Sequence, residues 1–450
     1  MRGRVSLNIG KPRLAPDPML NNAFREGDDF WSTRWYGIEI NEANFSPDVT
    51  RIAGVDGMTN HATLPVQSLM KGCLLRDDGT VNYYLKSDDW TKKADGTASN
   101  LDGTDGQVMV EVPTYYRKVD NPSPGVYQHK ISLYPIAGFT KVNSFYYGSY
   151  EAALQRSTSK LASVKNLTTD YRGGNNTAAW DAAANTLLGR PATLISLTNY
   201  RTYARNRGSN KWNVTTWRAD MLIWELIMIE YATLNSQKLV NGTLTVDGYK
   251  QGCLGAGVTT ANGTEWTNFN AYNPFIPCGA SDNLANGSGE VSRVVTDFGG
   301  SGVDRTFTIP RYRGIENPFG HIWKWCDGAS VYHEGSGGAS KFYTCDNPAN
   351  YADNTEANYE HRANLPTAST YPKFMTHDDV GIFIPREGGG ASNTYFCDYY
   401  YSPGLISAWR ALLRGGYAIN GAIAGFGCLN TSNVASNAPA YFGARLCYLL

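Results

Sequence analysis

The sequence predicts an α+β protein in which a β-rich amino-terminal region precedes a larger mixed domain. Three observations carry that assignment. Residues 73–76 and 80–85 flank Asp77-Asp78-Gly79, where Asp-Gly supplies the positive-φ turn of a β-hairpin. Residues 219–235 (ADMLIWELIMIEYATLN) are apolar nearly all the way round at helical period, as a helix buried inside a domain must be. Beyond Leu239 the chain breaks into short strand-like runs between Gly-, Asn- and Ser-rich loops, the pattern of irregular β structure following early helices.

Taken in order, residues 1–45 are dotted with Pro and Asn and read as an extended arm that packs on something, such as a neighbouring subunit. Residues 46–125 read as a β-rich domain. Its second strong strand run is 107–116 (QVMVEVPTYY), with Pro113 placing the end at an edge or bulge. A polar, Gly-rich loop spans 91–106, and NPSPG at 121–125 breaks the pattern as a domain boundary does. The second domain runs from 126 to 450. SYEAAL at 149–154 opens a helix, and 197–205 forms a short one. In the long helix Leu222, Leu226, Ile229 and Thr233 share a face, while Trp224, Ile227, Met228 and Tyr231 cover much of the rest. Further on come strand-like runs at 252–258, 306–312, 320–325, 380–385 and 409–416, with no further helix expected. So much loop implies that the loops are the functional surface.

The composition excludes several function classes. Forty Lys+Arg balance 40 Asp+Glu, a formal charge of zero, whereas a general grip on nucleic acid or an anionic membrane needs a basic excess. No apolar run is long enough to cross a membrane, and the first residues lack a secretory signal. The eight cysteines form no Cys-x-x-Cys pair, so buried free thiols are expected. The six histidines include no HExxH pair, and His377-Asp378-Asp379 reads as an exposed polar turn. Neither a GxSxG elbow nor a P-loop occurs, and Gly388-Gly389-Gly390 reads as a flexible turn. Asp282, Asn283, Asn286 and Glu290 offer hard oxygen ligands but miss the EF-hand spacing. No catalytic residue, metal or cofactor is therefore expected.

The informative region is the carboxyl end, about 393–450. Tyr395, Phe396, Tyr399, Tyr400 and Tyr401 crowd one short stretch. Adjacent strand side chains face opposite ways, so three consecutive tyrosines cannot all be hidden. From Trp409 onward a skeleton of Trp409, Arg410, Arg414-Gly415-Gly416, Gly421, Gly425-Phe426-Gly427, Leu429-Asn430, Gly443 and Arg445-Leu446 alternates with residues of no consistent chemistry. The gaps hold Tyr417, Ile419, Asn420, Ile423 and Ser432, then Asn433, Val434, Pro439, Tyr441 and Phe442. Glycine supplies bends and arginine pins carbonyls or carboxylates, so such a skeleton holds loops of arbitrary content. The tyrosines suit a paratope, being rigid and amphipathic.

The WRxxxRGG…GxxAGFG…N…GARL sequence at 409–446 resembles the end of the C-type-lectin-like fold of formylglycine-generating-enzyme-type proteins. It resembles more closely the variable proteins of diversity-generating retroelements, especially receptor-binding tail proteins of phages that infect gut bacteria. Gly320-His321-Ile322-Trp323-Lys324-Trp325, preceded by Arg313 to Pro318, resembles a GxxWEW-like strand of that fold, and the long helix sits where the fold carries its second helix. The resemblance spans about residues 130 to 450. It implies a C-type-lectin-like domain over 126–450 whose gap residues, with Tyr395, Phe396 and Tyr399 to Tyr401, form a diversified ligand-binding surface. By the same resemblance the chain is a tail-fibre-tip protein of the virion, made in the host cytoplasm. Its partners would be a bacterial surface receptor, protein or complex glycan, and other phage tail proteins; residues 1–45 would serve virion attachment, and a homotrimer is expected. The cysteine pair of the enzyme relatives is not recognisable at Cys397, Cys428 and Cys447, and the EPN, QPD and WND motifs of calcium-dependent sugar lectins are absent. The alternatives are a bacterial variable protein outside a virion and a formylglycine-generating-type oxidase.

Overall fold

The computed structural model describes residues 32–54, 58–174, 188–240, 243–300, 302–378, 382–402, 404 and 406–450. Strand accounts for 38% and helix for 14%, so the chain is mostly β with few helices. Among the described residues no helix is long and apolar enough to cross a membrane.

Three sheets dominate. The first has the strand order Thr50–Ala53, Tyr36–Asn41, Val126–Ser132, Tyr115–Ser123, Thr140–Val142. The second has seven strands, in the order Trp212–Val214, Arg445–Leu449, Phe145–Glu151, Gln107–Val112, Lys71–Leu75, Val81–Lys86, Asp89–Lys93. The third runs Glu360–Leu365, Ser340–Thr344, Trp323–His333, Ala408–Arg414, Leu429–Asn433, Tyr400–Tyr401, with Phe442–Gly443 parallel to Trp323–His333. A three-stranded ribbon (Gly289–Val295, Arg305–Tyr312, Ile315–Glu316) and the hairpin Pro372–Asp378/Ile382–Gly388 pack around them.

Several local expectations meet this architecture. The Asp-Gly turn joins two antiparallel strands, with Gly79 at φ +84°. Pro113 falls between Gln107–Val112 and Tyr115–Ser123, where the chain leaves one sheet for another, because proline cannot donate to either ladder. NPSPG lies in a hairpin: Tyr115–Ser123 turns back into Val126–Ser132. The expected helix at 149–154 is strand instead. Phe145–Glu151 is buried at every position and paired on both sides, and such central pairing overrides the helix propensity of Glu-Ala-Ala. The run 252–258 is not strand, and a helix unforeseen from the sequence forms at Gly263–Asn270, capped by Asn262. Residues 1–31 of the expected arm lie outside the described residues. Its last part is no free arm, since Tyr36, Ile38 and Ile40 are core residues of the first sheet.

The long helix, Trp217–Tyr231, starts at the Thr216 cap and ends where Ala232 turns left-handed at φ +51°. Its burial extends to its acids: Asp220, Glu225 and Glu230 are all buried. They are spaced five residues apart, about 140° of helical rotation, so they leave the helix on three sides. Each meets an arginine from a different β element. Arg117 of the first sheet donates Nε and Nη2 to Glu225 at 2.7 and 2.6 Å. Arg313 of the ribbon turn grips Glu230 at 3.0 and 2.8 Å. Arg414 of the third sheet lies 3.8 Å from Asp220, which also accepts the Tyr147 hydroxyl of the second sheet at 2.6 Å.

Burial alone raises a carboxyl, but Arg117, and after it His129, outweigh that at Glu225 and hold it down at about 2. Removing Arg117 strands a buried carboxylate, so Arg117→Leu is expected to cost roughly 3–5 kcal/mol in urea unfolding. The double variant Arg117→Leu/Glu225→Leu should recover part of that loss, and a double variant no more stable than the single one would contradict the pairing.

Candidate ligand-binding face

The frame comes first. Ala408–Arg414 pairs antiparallel with Trp323–His333, and Gly415 and Gly416, at φ +91° and +75°, turn the chain outward. The loop is stitched down as it leaves: Tyr417 N donates to Asn420 Oδ1 at 2.9 Å, and Gln237 Nε2 donates to the carbonyls of Gly421 and Ala424. Gly425 and Gly427 then pass so close to the core that side chains are excluded. A Cβ on Gly425 would sit 1.8 Å from Asp398 Oδ1, and one on Gly427 would sit 2.3 Å from the Trp224 ring. Asp398 holds this passage, accepting Gly427 N at 2.7 Å and Ser236 Oγ at 2.8 Å, while Ser236 Oγ in turn accepts Phe426 N. Arg414 donates to the carbonyls of Phe426 and Gly427. Arg445, fully buried, donates to four carbonyls: Gly148, Ser149, Glu316 and Asn317.

Histidine 321 supports the frame from beneath. Its Nε2 accepts the backbone N–H of Phe275 and Ile276 at 3.1 and 3.2 Å, which requires that nitrogen to be unprotonated. Nδ1–H therefore points at Glu151 Oε2, 2.5 Å away, and Lys324 neutralises the other carboxylate oxygen at 3.1 Å. The His321 carbonyl accepts Ala418 N, so the polar core positions the residue beside Tyr417.

On this frame lies a ribbon of half-buried rings. Tyr371 meets Tyr399 at 4.8 Å between centroids, and Tyr399 meets Tyr401 at 4.8 Å. Tyr401 sits edge-on to Trp323, which stacks on Tyr417. Tyr417 meets Tyr441 at 4.8 Å, and Tyr441 meets Tyr272 at 6.0 Å. Trp323 and Trp266, 3% and 0% exposed, are the floor. Asn420 Nδ2 donates to the Tyr401 hydroxyl at 3.3 Å, Ile423 packs against the same cluster, and Ile419 is exposed beside Gly263. Burial pushes the Tyr417 hydroxyl up to about 12, so the ring is a neutral donor and acceptor at physiological pH.

The structure thus brings Tyr399, Tyr401, Tyr417, Asn420, Ile423 and Tyr441 together, with Ile419 at the rim. It corrects three expected contacts. Phe396, Tyr400 and Phe442 are 2%, 0% and 2% exposed and belong to the core. Strand alternation explains Tyr400, which points inward while Tyr399 and Tyr401 point out. Phe396 packs on Trp224 and Phe442 on Trp325. Tyr395 lies elsewhere, against Phe374 and Lys373. Ser432 and Asn433 join a separate polar knot on Asn430, with Asn437 bonded to Asn433. The Val434 and Pro439 carbonyls close turns, accepting the N–H of Asn437 and of Phe442. Tyr272, Tyr371 and Trp266 also belong to the face; Trp266 and Tyr272 sit in an aromatic run with Phe269 and Phe275, but nothing local ties that run or Tyr371 to the carboxyl end.

The other candidate groups are occupied. Asn286 Oδ1 accepts Gly72 N and the Trp90 indole, Glu290 accepts Gly257 N, and Asp282 meets Arg311, Lys165 and the Tyr150 hydroxyl. His377 is no exposed turn residue: it stacks on Tyr127 at 4.0 Å and bonds to His129, while Asp379 lies outside the described residues. Among the described residues no group of three His, Cys, Asp or Glu side chains could hold a metal ion. All eight cysteines are free and buried.

No protein-family model and no curated protein matches the chain. The solved structure of PvdO from Pseudomonas aeruginosa aligns with 77% of this chain and 96% of its own, at 12% identity and a TM-score of 0.31. A likeness that low carries no argument.

Burial raises the Asp398 carboxyl to about 6, against the hydrogen bonds from Ser236 and Gly427. A raised carboxyl binds its proton more tightly folded than unfolded, so its stabilisation is complete below about pH 4 and is lost as pH rises through 6. Asn mimics the protonated form. Asp398→Asn should therefore gain on the wild type by about 3 kcal/mol between pH 4 and pH 7, as measured by denaturant unfolding at each pH. A difference constant across that range would contradict the assignment.

Proposed function

We propose that the chain is a phage receptor-binding protein of the tail-fibre tip, with a C-type-lectin-like carboxyl-terminal domain whose tyrosine face grips a bacterial surface ligand. The ribbon from Tyr371 to Tyr272 supports this reading most: six neutral, half-exposed rings are held on a frame of buried glycines and arginines. Such rings lose little conformational entropy on binding and are the usual hot spots of interfaces. The frame makes its bonds through backbone carbonyls and buried side chains. Apart from Asn420, whose side chain also ties down Tyr417 N, the displayed positions make few of those bonds and can vary, which suits a face rewritten by a diversity-generating retroelement. Several copies on a trimeric fibre would turn modest individual contacts into avidity.

Two measurements test this. The gene locus should contain a reverse transcriptase and a near-duplicate of the 3′ end, differing at the codons of the displayed residues; a locus without the repeat removes the diversification claim. The purified chain should bind host cells and block phage adsorption. Tyr399→Ala with Tyr417→Ala should weaken that binding by roughly a thousandfold, since hot-spot residues cost about 2 kcal/mol or more each. Both rings also pack on Trp323 or its neighbours, so Ile419→Asp at the exposed rim is the companion variant. Adsorption unchanged in both, with folding intact, would place the ligand elsewhere.

A further inference from the structure

A cleft of about 690 Å³ opens between the Asp77–Gly79 turn, the loop at 102–107 and the segment 155–171, none of which contributes to the tyrosine face. Its volume lies within the range of about 300–1,000 Å³ common to ligand sites, yet its walls are polar. Arg76, Lys160 and Arg207 stand against Asp77, Asp102 and Asp105, three charges of each sign. A cleft with no net charge does not concentrate ions of either sign. An apolar ligand would strip water from those groups without replacing its hydrogen bonds.

The walls are held still. Asp77 pairs with Lys160 at 2.8 Å and with Arg207, and its carbonyl accepts the Trp212 indole. Asp105 accepts the Tyr83 hydroxyl at 2.7 Å, and its carbonyl accepts Asn82 Nδ2. Asp102 is fixed by Thr104. Arg207 is 4% exposed and spends Nε on the Leu161 carbonyl and Nη1 on Asp77. Among the described residues its Nη2 has no hydrogen-bond partner, and the side chain lines the cleft. Tyr171 adds an aromatic wall. Rigid donors and acceptors of both kinds, with no net charge, match a ligand dense in hydroxyls, since each hydroxyl both donates and accepts.

We infer that this cleft is a second binding site, separate from the tyrosine face, for a short uncharged carbohydrate. Carboxylates and Asn82 would accept from and donate to neighbouring hydroxyls, and Arg207, which lines the cleft, would donate through Nη2. Saturation-transfer NMR on the full chain tests it, with maltotriose, cellotriose and chitotriose as uncharged probes and sialyllactose and inorganic phosphate as charged ones. At least one uncharged trisaccharide should bind, and the charged probes should not bind better. Arg76→Ala, at an exposed position, and Gln155→Ala, at a half-buried strand end, should each weaken binding at least threefold while leaving the unfolding midpoint within a few degrees of the wild type. The assignment falls if no uncharged trisaccharide binds, if the charged probes are preferred, or if neither variant changes the affinity. It also falls if Tyr417→Ala abolishes saccharide binding while Arg76→Ala does not, because the sugar would then sit on the tyrosine face.

Discussion

The structure hangs on one buried helix and the three acids it carries. Glu225, Glu230 and Asp220 point out on three sides of Trp217–Tyr231, toward Arg117, Arg313 and Arg414. Those arginines belong to the first sheet, the ribbon and the third sheet, and the Tyr147 hydroxyl on Asp220 adds the second. Helix faces and sheet faces could pack in several registers on apolar contact alone. A buried carboxylate tolerates only the register that brings its cation, because the unpaired charge costs several kcal/mol. The helix therefore dictates how four β elements are placed around it.

The same logic continues toward the surface. Glu151 faces both His321 and Lys324, and His321 in turn takes two backbone N–H groups that no strand satisfies. Arg445 collects four carbonyls from two segments nearly 170 residues apart in sequence, Gly148–Ser149 and Glu316–Asn317. Gly148 and Ser149 lie where the strand Phe145–Glu151 shifts register against Arg445–Leu449, and Glu316 and Asn317 close the ribbon; carbonyls at such ladder irregularities would otherwise be buried without partners. Long loops become affordable because buried side chains, and not sheet ladders, satisfy their main chain. The rings above them rest on Trp323 and Trp266 and make few bonds that the frame needs.

The zero net charge has a local meaning as well. The residues named for the tyrosine face are Tyr, Trp, Asn and Ile, all uncharged types, and the polar cleft carries three charges of each sign. Many of the charges elsewhere are spent in pairs inside the molecule, such as Arg201–Asp327 and Arg117–Glu225. Charge here organises the interior more than it advertises a partner.

Patterns that live within one element were legible in the sequence. The Asp-Gly hairpin, the short helix Leu197–Arg205 and the buried helix followed from turn chemistry and period, and strand alternation required some of Tyr399 to Tyr401 to face out. Patterns that need a partner were not. SYEAAL became a central strand because two neighbouring strands claimed its backbone. Tyr272 and Tyr371 joined the face because the fold brings them beside Tyr441 and Tyr399. Phe396 and Phe442 left it because Trp224 and Trp325 stand behind them. The sequence by itself determined the local repertoire: which segments bend, which alternate, and where tyrosine and glycine accumulate. Only the tertiary structure decided which tyrosines meet solvent and which acids are buried, since exposure and charge pairing depend on what packs opposite a residue and not on its neighbours along the chain.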